Sequence, residues 1–242
     1  MNNYKIPLAI IAAILILGGG WWLASRDNNQ TENLDLGLGY SQDNFQNNLD
    51  NNSSNNNNNQ NMDNQDRTSN LPEQYRSKRA KVETNLGDFV IEFFDNDAPL
   101  AVENFIRLSQ EGKYDNSPFH RIIKGFMIQG GDYTNGNGTG GQSIFGREFT
   151  DELNPETESY KSGYRRGILA MANRGPSTNG SQFFIMHQDY PLDHNYTIFG
   201  KVSSGMETID KIANSPVQPD ARGELSVPTQ RVFIEKITIE NR

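Results

Sequence analysis

FHRIIKGFMIQGGD, residues 119–132, and MANRGPSTNGSQFFI, residues 171–185, mix strand-like apolar runs with polar side chains that a plain hydrophobic core would reject. In the first stretch the runs 119–123 and 126–129 have strand length, and Lys124-Gly125 separates them. Arg121 and Gln129 interrupt this otherwise buried pattern. In the second stretch Phe183 and Phe184 are neighbours on a strand and so face opposite sides, which lets one pack in a core while the other lines a groove. Read in isolation, Arg121 would be a surface ion-pair partner, and Phe126, Met127, Phe184 and Leu192 would be core.

Outward from these stretches the same grammar continues. Residues 81–94 place Val82 and Thr84, then Phe89, Ile91 and Phe93, on alternating positions around Asn85-Leu86-Gly87-Asp88, which predicts a β-hairpin with one buried face. Asp97 and Pro99 open a helix carrying Val102, Phe105 and Ile106 on one side, with Gly112 placed to end it. Short apolar runs follow at 167–171, 182–186, 196–202 and 231–239, and a second helix is predicted over 205–213 with Met206, Ile209 and Ile212 on one face. Many short strands with Gly-rich turns predict a mainly β domain, either a sandwich or a closed barrel.

The 242-residue chain divides into three parts by composition: 1–26, 27–72 and 73–242. Residues 6–24 (IPLAIIAAILILGGGWWLA) carry no charge, and a helix of that length covers roughly 28 Å, close to a hydrocarbon core. Trp21 and Trp22 fall where an aromatic belt would meet headgroups, and Lys5 ahead of the span favours the amino end inside. The expectation is a single-pass membrane anchor with the folded domain extracytoplasmic; the alternative is a signal peptide cleaved near Gly18 and Gly20, giving a secreted domain. Residues 27–72 are rich in Asn, Gln, Asp and Ser and too poor in apolar residues to offset ordering entropy, so a disordered linker is expected.

Residues 73–242 are long enough to bury a core without staples. The chain has no cysteine, which removes thiol catalysis, Cys-based zinc sites and disulfides. Its net charge of −8 and the lack of a basic stripe argue against nucleic acid as a partner. His120, His187 and His194 show no metal-ligand spacing, and the 136–141 Gly loop lacks the Lys and helix of a phosphate cradle.

The two opening stretches closely resemble the signature segments of cyclophilins, the cyclophilin-type peptidyl-prolyl isomerases; NGNGTGGQSIFGREF at 135–149 and LDHNYTIFGKV at 192–202 resemble the same family in the same order. The resemblance covers about 79–239. It implies a closed eight-stranded antiparallel barrel capped by two α-helices, with a substrate groove on its outer surface and no cofactor or metal. It also implies rotation about X-Pro bonds of protein substrates, in a domain expected to work as a monomer. Carried over by position, Arg121 is the catalytic arginine. Phe126, Met127, Phe184 and Leu192 form the pocket for the proline ring. Gln129, Ala172, Asn173 and Gln182 line the groove and hold the peptide backbone, with Gly138 and Thr139 near its edge and Tyr196 as an aromatic wall.

Several positions depart from the family pattern. Where many eukaryotic members carry a Trp that contacts cyclosporin, this chain has Pro191, so weak inhibition by that drug is expected. Tyr196 stands where a His is frequent, Lys124 where a Pro is frequent, and Arg174 adds charge near the groove. Two other classes of function fit the same groove: a binding module for a fixed proline-containing partner, and a general chaperone independent of Arg121.

Overall fold

The structure is a computed structural model and describes residues 70–242. The expected membrane span and nearly all of the expected linker lie outside the described residues, and among the described residues no helix is long and apolar enough to cross a membrane.

The described residues open with a 3-10 turn, Glu73–Tyr75, and Leu71, two residues ahead of the boundary expected from composition, is buried. Strands β1 (Lys78–Thr84) and β2 (Gly87–Phe93) then pair as the expected hairpin, with Asn85-Leu86 as the connection. Their alternation is strict: Ala80, Val82 and Thr84, then Phe89, Ile91 and Phe93, point inward. Helix α1 (Pro99–Gln110) follows, with Pro99 in its first turn, where the missing N–H costs nothing, and Gly112 at φ 65° beyond its end. The free N–H groups of Leu100 and Ala101 donate to the two carboxylate oxygens of Glu152 (2.9 and 3.0 Å).

The remaining elements are β3 (Arg121–Ile123), β4 (Met127–Gly130), the short helix α2 (Glu158–Ser162), β5 (Ile168–Met171), β6 (Phe183–Met186), β7 (Ile198–Ser204), α3 (Met206–Ala213), β8 (Val217–Pro219), β9 (Leu225–Pro228) and β10 (Ile234–Asn241). Eight strands form one antiparallel sheet in the order β10-β1-β2-β7-β5-β6-β4-β3, while β8 and β9 form a separate hairpin. Both helices expected from periodicity are present; α2 is an addition, capped by the Thr157 hydroxyl.

The closed barrel is corrected in one respect. The sheet curls on itself, but its end strands β3 and β10 share no ladder. Among the described residues a single bridge, Pro118–Phe233, joins the two ends, through Phe119 N–H to Val232 O (2.9 Å) and Ile234 N–H to Ser117 O (2.9 Å). Pro118 stands at the position of this bridge whose own N and O face away from Phe233, where a missing N–H is tolerated.

Two apolar clusters occupy the two faces of the sheet. The larger joins Phe93, Phe119, Ile122, Ile128, Phe183 and Phe199 to α1 and α3; Phe105 of α1 meets Phe93, Tyr114, Phe183 and Phe199 with ring centroids 5.2–5.7 Å apart. The smaller contains Phe126, Met127, Tyr164, Ala170, Phe184, Met186, Tyr196 and Ile198. Adjacent residues divide between them, Met127 from Ile128 and Phe184 from Phe183. That double burial explains why these strands read as unbroken apolar runs.

Candidate active site

An open cleft of about 540 Å³ runs across the sheet beside β3 and β4. Arg121, Gln129, Gly138, Thr139, Ala172, Asn173 and Gln182, all expected in the site, line it together. Phe126, Met127, Phe184, Leu192 and Tyr196 lie instead in the neighbouring apolar cluster, where Phe126 is 3 % exposed and Met127 and Phe184 are fully buried. Leu192 and Tyr190 are only partly buried at the edge of that cluster. Tyr190 packs on Phe126 with centroids 4.6 Å apart, supplying an aromatic wall beside the exposed Pro191. Tyr196 stands edge-on to Phe184 at 5.6 Å, and the Tyr164 hydroxyl donates to its carbonyl (2.9 Å).

Arg121 joins cleft and cluster. It sits at the start of β3, opposite Gln129 in the ladder, and is 8 % exposed. Its Nη1 lies 3.8 Å from the Met127 sulfur, on the cluster side. Its Nε and Nη2 donate to the two carboxylate oxygens of Glu224 (2.8 and 2.9 Å). Glu224 lies in the β8–β9 turn, a region that the sequence reading left without an element.

The cleft's other wall is built around one carboxylate. Asp132 Oδ1 accepts the Asn135 N–H (2.9 Å), and Oδ2 accepts those of Asn137, Gly138 and Gly140 (3.2, 2.9 and 3.0 Å). Although burial works against the charge, these N–H bonds hold its pKa down to about 2. Gln182 ties this loop to the sheet: its Nε2 donates to the carbonyls of Gly138 and Gly140, and its Oε1 accepts from Gln129 (3.0 Å). Asn173 donates to Asn195 O (2.8 Å), holding the segment that leads into Tyr196. His120 lies beneath Gly138, and burial drives its pKa down to about 4, so it is neutral at physiological pH. Arg174, at the rim, is paired with Glu148. Among the described residues no group of three or more His, Asp or Glu side chains could hold a metal ion.

This arrangement offers a fixed cation between a polar cleft and a dry apolar surface, with no nucleophile at its centre. Residues 79–239 match the family described as cyclophilin type peptidyl-prolyl cis-trans isomerase/CLD. The chain belongs to that family.

Relatives of this cyclophilin include the peptidyl-prolyl cis-trans isomerase-like 3 of Dictyostelium discoideum, 45 % identical over 64 % of this chain and 91 % of that protein. The peptidyl-prolyl cis-trans isomerase CYP18-1 of Arabidopsis thaliana is 46 % identical over 64 % and 92 %. The chain spans only 28 % of the length of another relative, the peptidyl-prolyl cis-trans isomerase-like 2 of Cryptococcus neoformans, at 45 % identity. Among solved structures, the cyclophilin type peptidyl-prolyl cis-trans isomerase of Cryptosporidium parvum superposes with a TM-score of 0.60 at 44 % identity, covering 68 % of this chain and 98 % of that one. That protein has also been crystallised in the presence of the dipeptide Ala-Pro, with the same similarity to this chain.

Proposed function

We propose that this cyclophilin isomerises X-Pro bonds in extended protein segments laid along the cleft, with Arg121 as the catalytic residue. The observation that carries the reading is the place of its guanidinium, inside the cleft lining with Nη1 turned to Met127. Amide resonance sets a rotation barrier of about 18–20 kcal/mol, and catalysis must favour the twisted state in which that resonance is lost. In that state the imide nitrogen is pyramidal and accepts a hydrogen bond, which a permanently charged guanidinium supplies. Phe126, Met127, Phe184 and Leu192 take the proline ring and keep water from the contact, while Gln129, Asn173 and Gln182 hold the peptide backbone on the other side. Because Met127 and Phe184 are already covered, the ring enters by displacing the partly buried rim, Leu192 and Tyr190.

One preorganised donor contributes about 2–4 kcal/mol, or roughly one and a half to three decades in rate. Arg121→Ala should lose that much in a proline-limited refolding assay while peptide binding persists. Refolding at the wild-type rate would remove Arg121 from catalysis and leave the binding-module and general-chaperone readings.

The site of action in this reading is outside a membrane, with 6–24 as an anchor and the segment from 27 up to the packed Leu71 as a tether. It is supported by the uncharged run, the Trp pair and Lys5. Protease added to spheroplasts should release a fragment beginning near residue 70; full protection would place the domain inside. Pro191 in the cyclosporin-contacting position supports weak inhibition by that drug.

A further inference from the structure

We propose that Glu224 is the positioning residue for Arg121: a side-on carboxylate that fixes the guanidinium plane so that its Nη1 edge is presented to the substrate. The inference rests on the catalytic reading of Arg121 and concerns a residue of the β8–β9 hairpin.

A guanidinium has five N–H groups, and an arginine side chain free to turn would present them to the peptide in many orientations. Here the Nε edge is taken, since Nε and one N–H of Nη2 form a two-point fork with the Glu224 carboxylate. The Nη1 group lies beyond that fork, against Met127. The carboxylate therefore orients the group without covering the edge that faces the apolar cluster. Gln129 lies directly opposite Arg121 in the β3–β4 ladder and is the obvious alternative holder, but the Arg121 side chain donates to Glu224 and Met127 and makes no hydrogen bond to the Gln129 amide oxygen, while the Gln129 amide nitrogen is turned to Gln182.

The turn that carries Glu224 is itself fixed. Asp220 Oδ1 accepts the N–H groups of Arg222 and Glu224 (both 2.9 Å), the Asp220 carbonyl accepts the Gly223 N–H (3.0 Å), and the Asp220 N–H donates to Glu224 O (2.8 Å). Gly223 takes φ 89°, a conformation that lets the chain reverse over so few residues. Side-chain exposure of 10 % for Arg121 and 16 % for Glu224 leaves the pair little screened by water, so its geometry is held firmly. β9 leans on β3, which brings the hairpin to the arginine from 103 residues away in sequence.

The test uses the full chain and a proline-containing peptide, with kcat and KM measured by exchange NMR for wild type, Glu224→Ala, Glu224→Gln and Arg121→Ala. Glu224→Ala should lower kcat about tenfold with KM within about twofold, formate should restore a substantial part of that loss, and Glu224→Gln, which keeps one acceptor, should fall between. The slowly exchanging Arg121 Nε–H resonance should be present in wild type and lost in Glu224→Ala. An unchanged or increased kcat in Glu224→Ala, a loss that formate leaves untouched, or an unaltered Nε–H signal would each overturn the proposal. Arg121→Ala separates the two claims. If it is inactive while Glu224→Ala behaves as wild type, only the positioning role falls; if it is fully active, the catalytic reading falls first.

Discussion

Asp132 accepts five backbone N–H groups, those of Thr134, Asn135, Asn137, Gly138 and Gly140, from a loop that contributes Gly138 and Thr139 to the cleft, so it governs local shape through its carboxylate. Removing the carboxylate leaves those donors without a partner, at about 1–3 kcal/mol for each one that stays dry. Asp132→Ala should therefore destabilise the domain by ~3 kcal/mol in chemical denaturation at pH 7. The sign of the pH effect follows from a folded-state pKa near 2, below the ordinary carboxylate value. The stabilisation is complete above about pH 4 and is lost as pH falls towards 2, so the gap between wild type and Asp132→Asn should close over that window. Glu224 contrasts with Asp132 in how far it could be read from sequence. Asp132 closes the 119–132 stretch, whereas nothing around Glu224 signals a contact with a residue so distant along the chain.

At the scale of elements, the turn between β3 and β4 shows how a neighbour controls the pocket. His187, just past β6, accepts the Gly125 N–H at Nδ1 (2.9 Å), gives its own N–H to Phe126 O (2.8 Å) and turns Nε2 to Asp210 of α3 (3.2 Å). Asp210 and Arg166 pair beside it, and Lys124 also bears on the ring. Burial pushes the His187 pKa below its ordinary value, with Asp210 working in the opposite direction. Protonation would turn the Nδ1 acceptor into a donor aimed at the Gly125 N–H and loosen the turn that carries Phe126. Since the folded value is depressed, this stabilisation is present above about pH 6.5 and is lost as pH falls below it. Wild type should lose stability between pH 7 and 5 more steeply than His187→Gln, as followed by urea midpoints; equal slopes would remove the histidine from the turn's support. The long elements β1, β2 and α3 were legible because burial follows their own period, and α1, which is buried nearly all round, was legible through Pro99 at its start and Gly112 beyond its end. The β8–β9 hairpin was not, because its strands are three and four residues long and carry Pro219 and Pro228 with few apolar side chains.

For the whole molecule, the family match spans 79–239, yet the packed domain reaches beyond both limits. Leu71 is 2 % exposed within the main core, and Arg76 Nε donates to its carbonyl (2.8 Å), pinning the 3-10 turn against α1. At the other end the Arg242 N–H donates to Ser77 O (2.8 Å), and Lys78 Nζ donates to Asn241 Oδ1 (2.6 Å), so the two termini close the β1–β10 edge together. The meeting of the sheet's ends at Pro118 and Phe233 was not legible for the same reason as Glu224: it depends on contacts between distant segments rather than on local period. A chain trimmed to 79–239 loses the buried Leu71, worth about 1.5–3 kcal/mol, and at least one hydrogen bond worth about 1 kcal/mol. It should melt roughly 6–12 °C below a chain of 70–242, the shift expected for ~3 kcal/mol in a domain of this size. Its isomerase rate at 20 °C should be unchanged, because Arg121, Glu224 and the residues that line the cleft all lie between 120 and 227, and none comes from the trimmed segments. Equal melting temperatures would show that the flanks add nothing to the fold, and a lost rate in a folded trimmed chain would show that they reach the site.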